Sequence, residues 1–407
     1  MRPLYSFFIH LYTVAVHIAA IFGNNKAKLW ISGRKNQKNI FTEKHNGKWI
    51  WFHVSSLGEF EQGRPLIEFY KKNHPDYNIL LTFFSPSGFE IRKNYTNADK
   101  VLYLPADTKK NAKKLLNSFE IKVAFFVKYD FWFNYLHTIK ERNIPLYLIS
   151  GIFRKQQHFF KWYGFWQRKQ LKSFTHFFLQ NEVSKKLLDE IGFKNSTIAG
   201  DTRFDRVIEI ASSAKEYKEI EAFIQNKLVY LAGSSWEPDE EYIFKAIKAF
   251  PDVKFIIVPH EIDAARIDKL INKLPVKASL YTNKDTADFN NNQVLIVNTI
   301  GMLSSLYRYS SIAHIGNGFG SGIHNTLEAA VYGIPVIFGP NYTKFQEAID
   351  LIKLGGGFSF SNQHEYLKLC ETLINDTDIN KKHAEIAKKY VFDKAGATKT
   401  ITDFVLL

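Results

Sequence analysis

Short apolar runs recur along the chain, separated by stretches long enough for a helix. Residues 49–54, 79–84, 101–104, 123–127, 146–149 and 176–179 read as strands, and 228–231, 254–258, 294–297, 312–315 and 336–338 as a second set. Strands that alternate with crossover helices imply parallel sheets covered on both faces. Between the two sets, residues 207–227 turn charged and helical. The pattern therefore predicts an α/β chain of two doubly wound, Rossmann-like domains. Residues 1–40 form an N-terminal segment with a basic flank, 41–206 a first domain, 207–227 a connection, and 228–407 a second domain with a C-terminal helix. The tail, residues 378–407, is expected to pack back on the first domain. Two such domains facing each other predict a cleft between strand C-terminal ends, where these folds bind ligands.

The first segment stands apart. No Asp, Glu, Lys or Arg occurs from Pro3 to Asn25, and the run LYSFFIHLYTVAVHIAAIF is long enough to span a bilayer as a helix. A cleaved signal peptide is the rival reading, although this run is longer and richer in aromatics than the usual one. His10 and His17 fall on one helix face and would mark the wetter side of a helix lying in the interface. Lys26, Lys28, Arg34, Lys35 and Lys38 follow, against Arg2 alone before it. The positive-inside rule then puts the remainder in the cytoplasm, so the expectation is a membrane-anchor helix on the cytoplasmic face.

Charge sharpens this picture. The chain has 407 residues and a net charge of +14, which favours an anionic partner such as a phosphorylated substrate or an anionic lipid surface. Nucleic acid would fit the charge but explains neither the anchor nor the glycine-rich turn described below, so it is not expected as a partner. Cys370 is the sole cysteine, which excludes internal disulfides and thiolate metal clusters. No P-loop, CxxC or HExxH pattern occurs, and no structural metal is expected.

The residues that can carry chemistry follow strands. The run GNGFGSGIHNTLEAAVYGIPVIFG, 316–339, leads from a strand into a glycine-rich turn and then a helix opening near Asn325, with Glu328 in its first turn. A helix N-terminus seats phosphate, while Glu328 suits sugar hydroxyls, so the turn reads as a nucleotide-sugar site. Glu59, in the Ser-Ser-Leu-Gly-Glu turn after residue 54, is placed either as a general base at the mouth of a cleft or as the second half of a helix capping box. Ser234 and Ser235 can donate to a phosphate or cap the helix that follows. His260 meets a phosphate or a base edge, or is simply solvated. Residues 298–302 offer backbone N–H groups. Arg203 either faces the cleft or pairs with Asp201 or Asp205. The basic and aromatic stretch 155–172 suits a membrane interface or a core-facing helix.

Taken in order, these motifs resemble the Kdo (3-deoxy-D-manno-octulosonic acid) transferases of lipopolysaccharide synthesis. The likeness runs from the anchor through Ser56–Glu59, Gly200–Asp205, Ala232–Ser234, Val258–Glu261, Thr299–Leu303 and Gly322–Ala330 to Phe338–Pro340. The resemblance implies a GT-B fold and inverting, metal-free transfer of Kdo from CMP-Kdo to a lipid A precursor, lipid IVA, at the inner membrane. It also implies that no cofactor is needed. Glu59 would be the general base. Arg203, and an acid at Asp130, would stabilise charge in the transition state. Pro259 and His260, Ile300, Gly301 and Met302, and Asn325, Thr326, Leu327 and Glu328 would hold CMP. The chain departs from the family pattern at Lys128–Trp132, where Glu-Thr-Glu-x-Trp is usual, and at His260, where Arg is common. Asn298 and Met302 stand where acids are usual. Two other readings remain: a UDP-sugar enzyme of the lipid disaccharide synthase or 2-epimerase type, and a non-catalytic binder of lipid A or sugar nucleotides.

Overall fold

The computed structural model describes residues 2–283, 288–289 and 291–406. The chain divides into two units, Met1–Arg206 with Ala395–Leu407, and Val207–Lys394. The first is built on seven strands: β1 (His45–Val54), β2 (Tyr77–Phe83), β3 (Lys100–Tyr103), β4 (Phe119–Val127), β5 (Leu146–Gly151), β6 (His176–Leu179) and β7 (Ser196–Ile198). The second has β8 (Val229–Ser235), β9 (Lys254–Pro259), β10 (Ala278–Leu280), β11 (Val294–Ile296), β12 (Ile312–Ile315), β13 (Val336–Phe338) and β14 (Gly357–Ser359). Every pairing is parallel. This is the two-unit α/β fold the strand pattern predicts, with three strands added, β7, β10 and β14.

The first sheet runs β3-β2-β1-β4-β5-β6-β7 and the second β10-β11-β9-β8-β12-β13-β14. In each, the chain fills one side of its first strand and then crosses to the other, although in the second sheet β11 inserts between β9 and the edge strand β10. The order therefore reverses between β1 and β4, and again between β8 and β12. Crossovers diverge at such a point, which leaves a crevice outside the strand C-termini.

Strand β1 shows why the sheet lies at the centre of its unit. Trp49 and Trp51 pack into one hydrophobic cluster, while Ile50, Phe52 and Val54 pack into another on the opposite face. Each fully buried side chain of this kind contributes about 1.5–3 kcal/mol.

The C-terminal residues belong to the first unit, not to a second domain running 228–407. Asp205 accepts hydrogen bonds from Gly396 N (2.5 Å) and Thr398 N (2.6 Å), and Tyr70 Oη donates to Val405 O (3.1 Å). Phe404 packs against Tyr147, His176 and Phe178.

At the other end, the helix Arg2–Ile21 lies along the first unit. Among the described residues it is the one helix long and apolar enough to cross a membrane, over Pro3–Ile21; a signal sequence has the same properties. A half-buried stripe of Tyr5, Ile9, Thr13, Val16 and Ala19 faces the unit. Tyr5 Oη donates to Asp107 Oδ2 (2.7 Å), and Tyr12 meets Trp30 and Phe84. Leu4, Phe7, Phe8, Leu11, Val14 and Ile18 are exposed, and His10 and His17 are exposed with them.

Stretch 155–172 is partly core and partly exposed. Phe159 and Leu171 join the core, whereas Trp162 is 90% exposed and Phe165 65%.

Candidate active site

Strand β1 empties into a turn at Ser55, and the helix Leu57–Asn73 starts at once. Ser56 caps it, and Glu59 Oε2 reaches back to accept from Ser55 N (2.5 Å) and Ser56 N (3.2 Å), a complete capping box. The cap is not the whole of Glu59's setting. Ser55 Oγ donates to Asp130 Oδ1 (2.7 Å), so one serine ties together two carboxylates carried by β1 and β4. These are the strands that flank the reversal in the first sheet. Both carboxylates are buried, Glu59 at 7% and Asp130 at 8% exposure.

Burial raises both carboxyl pKa values. For Glu59, two backbone N–H groups and Lys128 oppose the rise; for Asp130, the charge of Glu59 adds to it. Two like charges this close leave one proton between them at intermediate pH, and the neighbours favour Asp130 as its holder. Trp132 Nε1, which can only donate, bonds His53 Nε2 (2.9 Å), so that nitrogen carries a lone pair. His53 is accordingly neutral, with Nδ1–H directed at Thr82 Oγ1 (2.8 Å); burial drives its pKa down to about 3. Asp130 Oδ2 lies 3.3 Å from the same Nε2 and has no other hydrogen-bond partner among the described residues. An ionised oxygen there would face a ring nitrogen with no proton to donate, which adds to the effect of burial. Glu59 is left as the ionised member, beside Lys128. Lys128 takes a left-handed backbone (φ 61°), which most side chains avoid.

Arg203 makes the pair with Asp201 (Nε to Oδ2, 3.0 Å), not with Asp205. Asp201 also accepts from Gln62 Nε2 (2.9 Å), one turn beyond Glu59.

In the second unit the predicted residues follow β8, β9, β11 and β12. Gly316 and Gly318 allow the close approach of two turns. A Cβ on Gly316 would sit 2.0 Å from Ser234 O, and one on Gly318 2.3 Å from Gly339 N. Several expected contacts differ in detail. Ser235 is turned inward, its Oγ donating to Glu240 Oε1 (2.9 Å), because Glu240 and Arg266 form a buried pair beneath it. Ser234, at φ 54°, is left at the surface of the turn. Ile300 is 88% exposed at its tip, while Met302 is buried and accepts from Thr299 Oγ1 through Sδ. Leu327 is core, and only its backbone faces the turn. The helix predicted near Asn325 is the single turn Leu327–Ala330. Its dipole is correspondingly small, and the donors are turn N–H groups. Asn325 Oδ1 accepts from Leu327 N (3.1 Å) and its Nδ2 donates to Glu328 Oε1 (3.0 Å), orienting the carboxylate.

Three side chains at these turns, Trp236, His324 and Asp239, escaped the motif reading. Trp236 stacks on His260 (4.8 Å between centroids), His260 stacks on His324 (4.6 Å), and Trp236 Nε1 donates to His324 Nε2 (3.2 Å). Burial, with His260 alongside, lowers His324 to about 4. Asp239 is the third. Its Oδ2 accepts from Trp236 N (3.0 Å) and from Asn317 N (2.8 Å), bridging the turns after β8 and β12 at the second reversal.

Residues 30–206 match the family model described as 3-Deoxy-D-manno-octulosonic-acid transferase (kdotransferase). The chain is 29% identical over 381 residues to a bifunctional glycosyltransferase/methyltransferase of Fusobacterium nucleatum subsp. nucleatum, covering 89% of this chain but only 58% of that protein. It is 28% identical over 354 residues to a 3-deoxy-D-manno-octulosonic acid transferase of Aquifex aeolicus, covering 84% of this chain and 91% of the relative. Among solved structures, a UDP-GlcNAc 2-epimerase from Neisseria meningitidis superposes with a TM-score of 0.61 at 18% identity, over 88% of this chain and 98% of that one. That likeness shows the fold alone.

Proposed function

We propose that this chain, which belongs to the 3-deoxy-D-manno-octulosonic acid (Kdo) transferase family, moves Kdo from CMP-Kdo to a lipid A precursor, lipid IVA, with inversion and without a metal. The buried Glu59–Asp130 pair at the reversal of the first sheet carries this reading. It supplies one ionised and one neutral carboxyl, the arrangement that acid–base chemistry at neutral pH needs.

In the proposed reaction the acceptor hydroxyl oxygen attacks the anomeric carbon of Kdo. Its proton passes to Glu59, and the bond from Kdo to the CMP oxygen breaks, releasing CMP as an anion. Asp130, neutral, adds no second negative charge beside Glu59 and the donor carboxylate. Arg203 supplies positive charge, held in place by Asp201. In the second unit Ser234, Pro259, His260, the backbone of Ile300–Met302 and the Asn325–Glu328 turn hold CMP. The apolar N-terminal helix and the exposed Trp162 and Phe165 beside basic residues support attachment to an anionic membrane surface, at the cytoplasmic face of the inner membrane.

Incubating the full chain in detergent with CMP-Kdo, generated in situ, and tetra-acylated lipid A precursor tests the reading. The expected product, seen by mass spectrometry, is the lipid plus one or more Kdo units. Unchanged lipid with a folded, CMP-binding protein would reject the acceptor. A thermal shift with UDP and none with CMP would instead favour a UDP-sugar enzyme.

The role of Asp130 has its own test. Asp130→Asn keeps an acceptor for Ser55 Oγ and places N–H where the proton lies, so the charge beside Glu59 is unchanged. The acid limb of kcat is expected to stay in place, with less than about tenfold loss at the plateau. A loss of about 10²-fold or more at every pH would make Asp130 a direct participant.

A further inference from the structure

The helix Arg2–Ile21, the helix Asn25–Asn36 and the turn after β2 enclose a groove of about 390 Å³ that the transfer reaction as described leaves unused. That volume falls within the roughly 300–1,000 Å³ of sites for small ligands. Its walls are Tyr12, Ala15, Val16, Ala19, Ala27, Trp30, Phe84 and Pro86, and its polar residues are Asn24, Lys26 and Ser85. Small residues on both helices leave the space open. Arg34 fixes the floor: its guanidinium lies 3.8 Å over the Trp30 ring and donates to Phe84 O (2.8 Å) and Leu104 O (2.9 Å).

Three observations identify an occupant. The walls are apolar, and the small side chains of Ala15, Ala19 and Ala27 leave room for an alkyl chain. Lys26 lines the groove, and the helix that forms this wall, NKAKLWISGRKN, carries no acid, so the rim favours a phosphorylated head group. Finally, Ser85 at the rim donates its N–H to Ser55 O (2.9 Å), and Ser55 is the residue that joins Glu59 to Asp130. The groove thus opens beside the turn that holds the proposed base.

The geometry points to this groove as an acyl-chain subsite: it takes one acyl chain of the phosphorylated glycolipid acceptor and thereby registers the acceptor hydroxyl on Glu59. This rests on the proposed function for the identity of the acceptor. An acyl chain lies along the two helices, and Lys26 faces a phosphate.

Two experiments on the full chain test it. In the first, a phosphorylated, acylated glucosamine disaccharide bearing a diazirine on one acyl chain is photolysed with the protein, and labelled peptides are mapped. Label is expected within 12–30 or 84–86, displaced by unlabelled lipid A precursor and not by phosphatidylethanolamine. Label elsewhere overturns the proposal, and so does equal displacement by phosphatidylethanolamine, since the groove would then hold a bilayer lipid. In the second, Ala19→Trp fills the groove. KM for the tetra-acylated acceptor is expected to rise at least about tenfold relative to KM for the acyl-free phosphorylated disaccharide, the effect of unburying roughly two methylenes. Equal changes in both KM values, or none, overturn it. The labelling needs no turnover. A wild-type chain that labels the groove but transfers no sugar would therefore reject the function and leave the subsite standing.

Discussion

Glu59→Gln is expected to lower kcat for sugar transfer by about 10²–10⁴-fold, the usual contribution of a positioned general base, with the melting temperature nearly unchanged. The two parts of this expectation separate the two jobs of the residue. As a cap, Glu59 offers one oxygen to Ser55 N and Ser56 N. Glutamine offers an equivalent oxygen, and capping boxes accept either residue, so the helix Leu57–Asn73 keeps its start. As a base, Glu59 must take a proton, which an amide cannot do. Steady-state kinetics with CMP-Kdo and acylated acceptor, alongside thermal melts, read both. Full activity in the variant would reduce Glu59 to a cap and leave a non-catalytic binder as the better account. The wild-type pH profile carries the same information. Burial raises the Glu59 pKa above its ordinary value of 4.5, and the base works only when ionised. Activity should therefore climb as pH rises through that raised value, and the climb should be absent from any residual activity of the glutamine variant.

The second large effect is expected in the other unit. Asp239→Ala should destabilise it by about 3 kcal/mol or more, since two backbone N–H groups held by a buried carboxylate lose their acceptor. That is a large fraction of the 5–15 kcal/mol that holds a typical domain folded. Asp239 is fully buried, and so is the chain of polar groups behind it. Its Oδ1 lies 3.8 Å from His314 Nε2, His314 Nδ1 meets Tyr230 Oη (2.8 Å), and Tyr230 meets Tyr366 (2.7 Å). Because Asp239 joins the turns after β8 and β12, KM for CMP-Kdo should rise with the loss of stability. Urea titration with hydrogen exchange at β8 and β12 measures the first effect, and initial rates the second. The dependence on pH has a definite sign. Burial alone would raise this carboxyl, but His314 and the two backbone N–H groups outweigh it and hold the pKa below the ordinary 3.8. A depressed carboxyl stabilises the fold above its unfolded value, and that stability is lost as pH falls through the folded one. The wild type should lose this contribution in acid, and Asp239→Ala should show no such step. Unchanged stability and KM would mean that the bridge holds nothing in place.

Pattern alone was enough for the central architecture. Strands buried on both faces read as unbroken apolar runs, and β1, β2, β4 and β9 are long enough for that signal to stand out. The missed strands, β7, β10 and β14, are short and carry small or polar residues, Ser-Thr-Ile, Ala-Ser-Leu and Gly-Phe-Ser. The equally short β11 and β13 are wholly apolar and so stand out, whereas in the other three pairing with a neighbour decides the state. Motifs likewise located the turns but not the direction of each side chain. Ser235, Met302 and Leu327 are spaced like ligand contacts, yet packing turned them into the core. Arg203 could be paired with either of two acids, and only the course of the helix start selects Asp201.

The sequence by itself determined which turns carry chemistry, because a parallel strand must hand its chain to a crossover helix, and capping and glycine signals mark that place locally. Tertiary structure alone decided which turns act together. Ser55 meets Asp130 across 75 residues, and Asp239 meets Asn317 across 78. The cause is strand order: β1 lies beside β4, and β8 beside β12, so their C-terminal ends are neighbours in space. Burial then does what no local pattern records. It brings two carboxyls to one serine and raises the pKa of both.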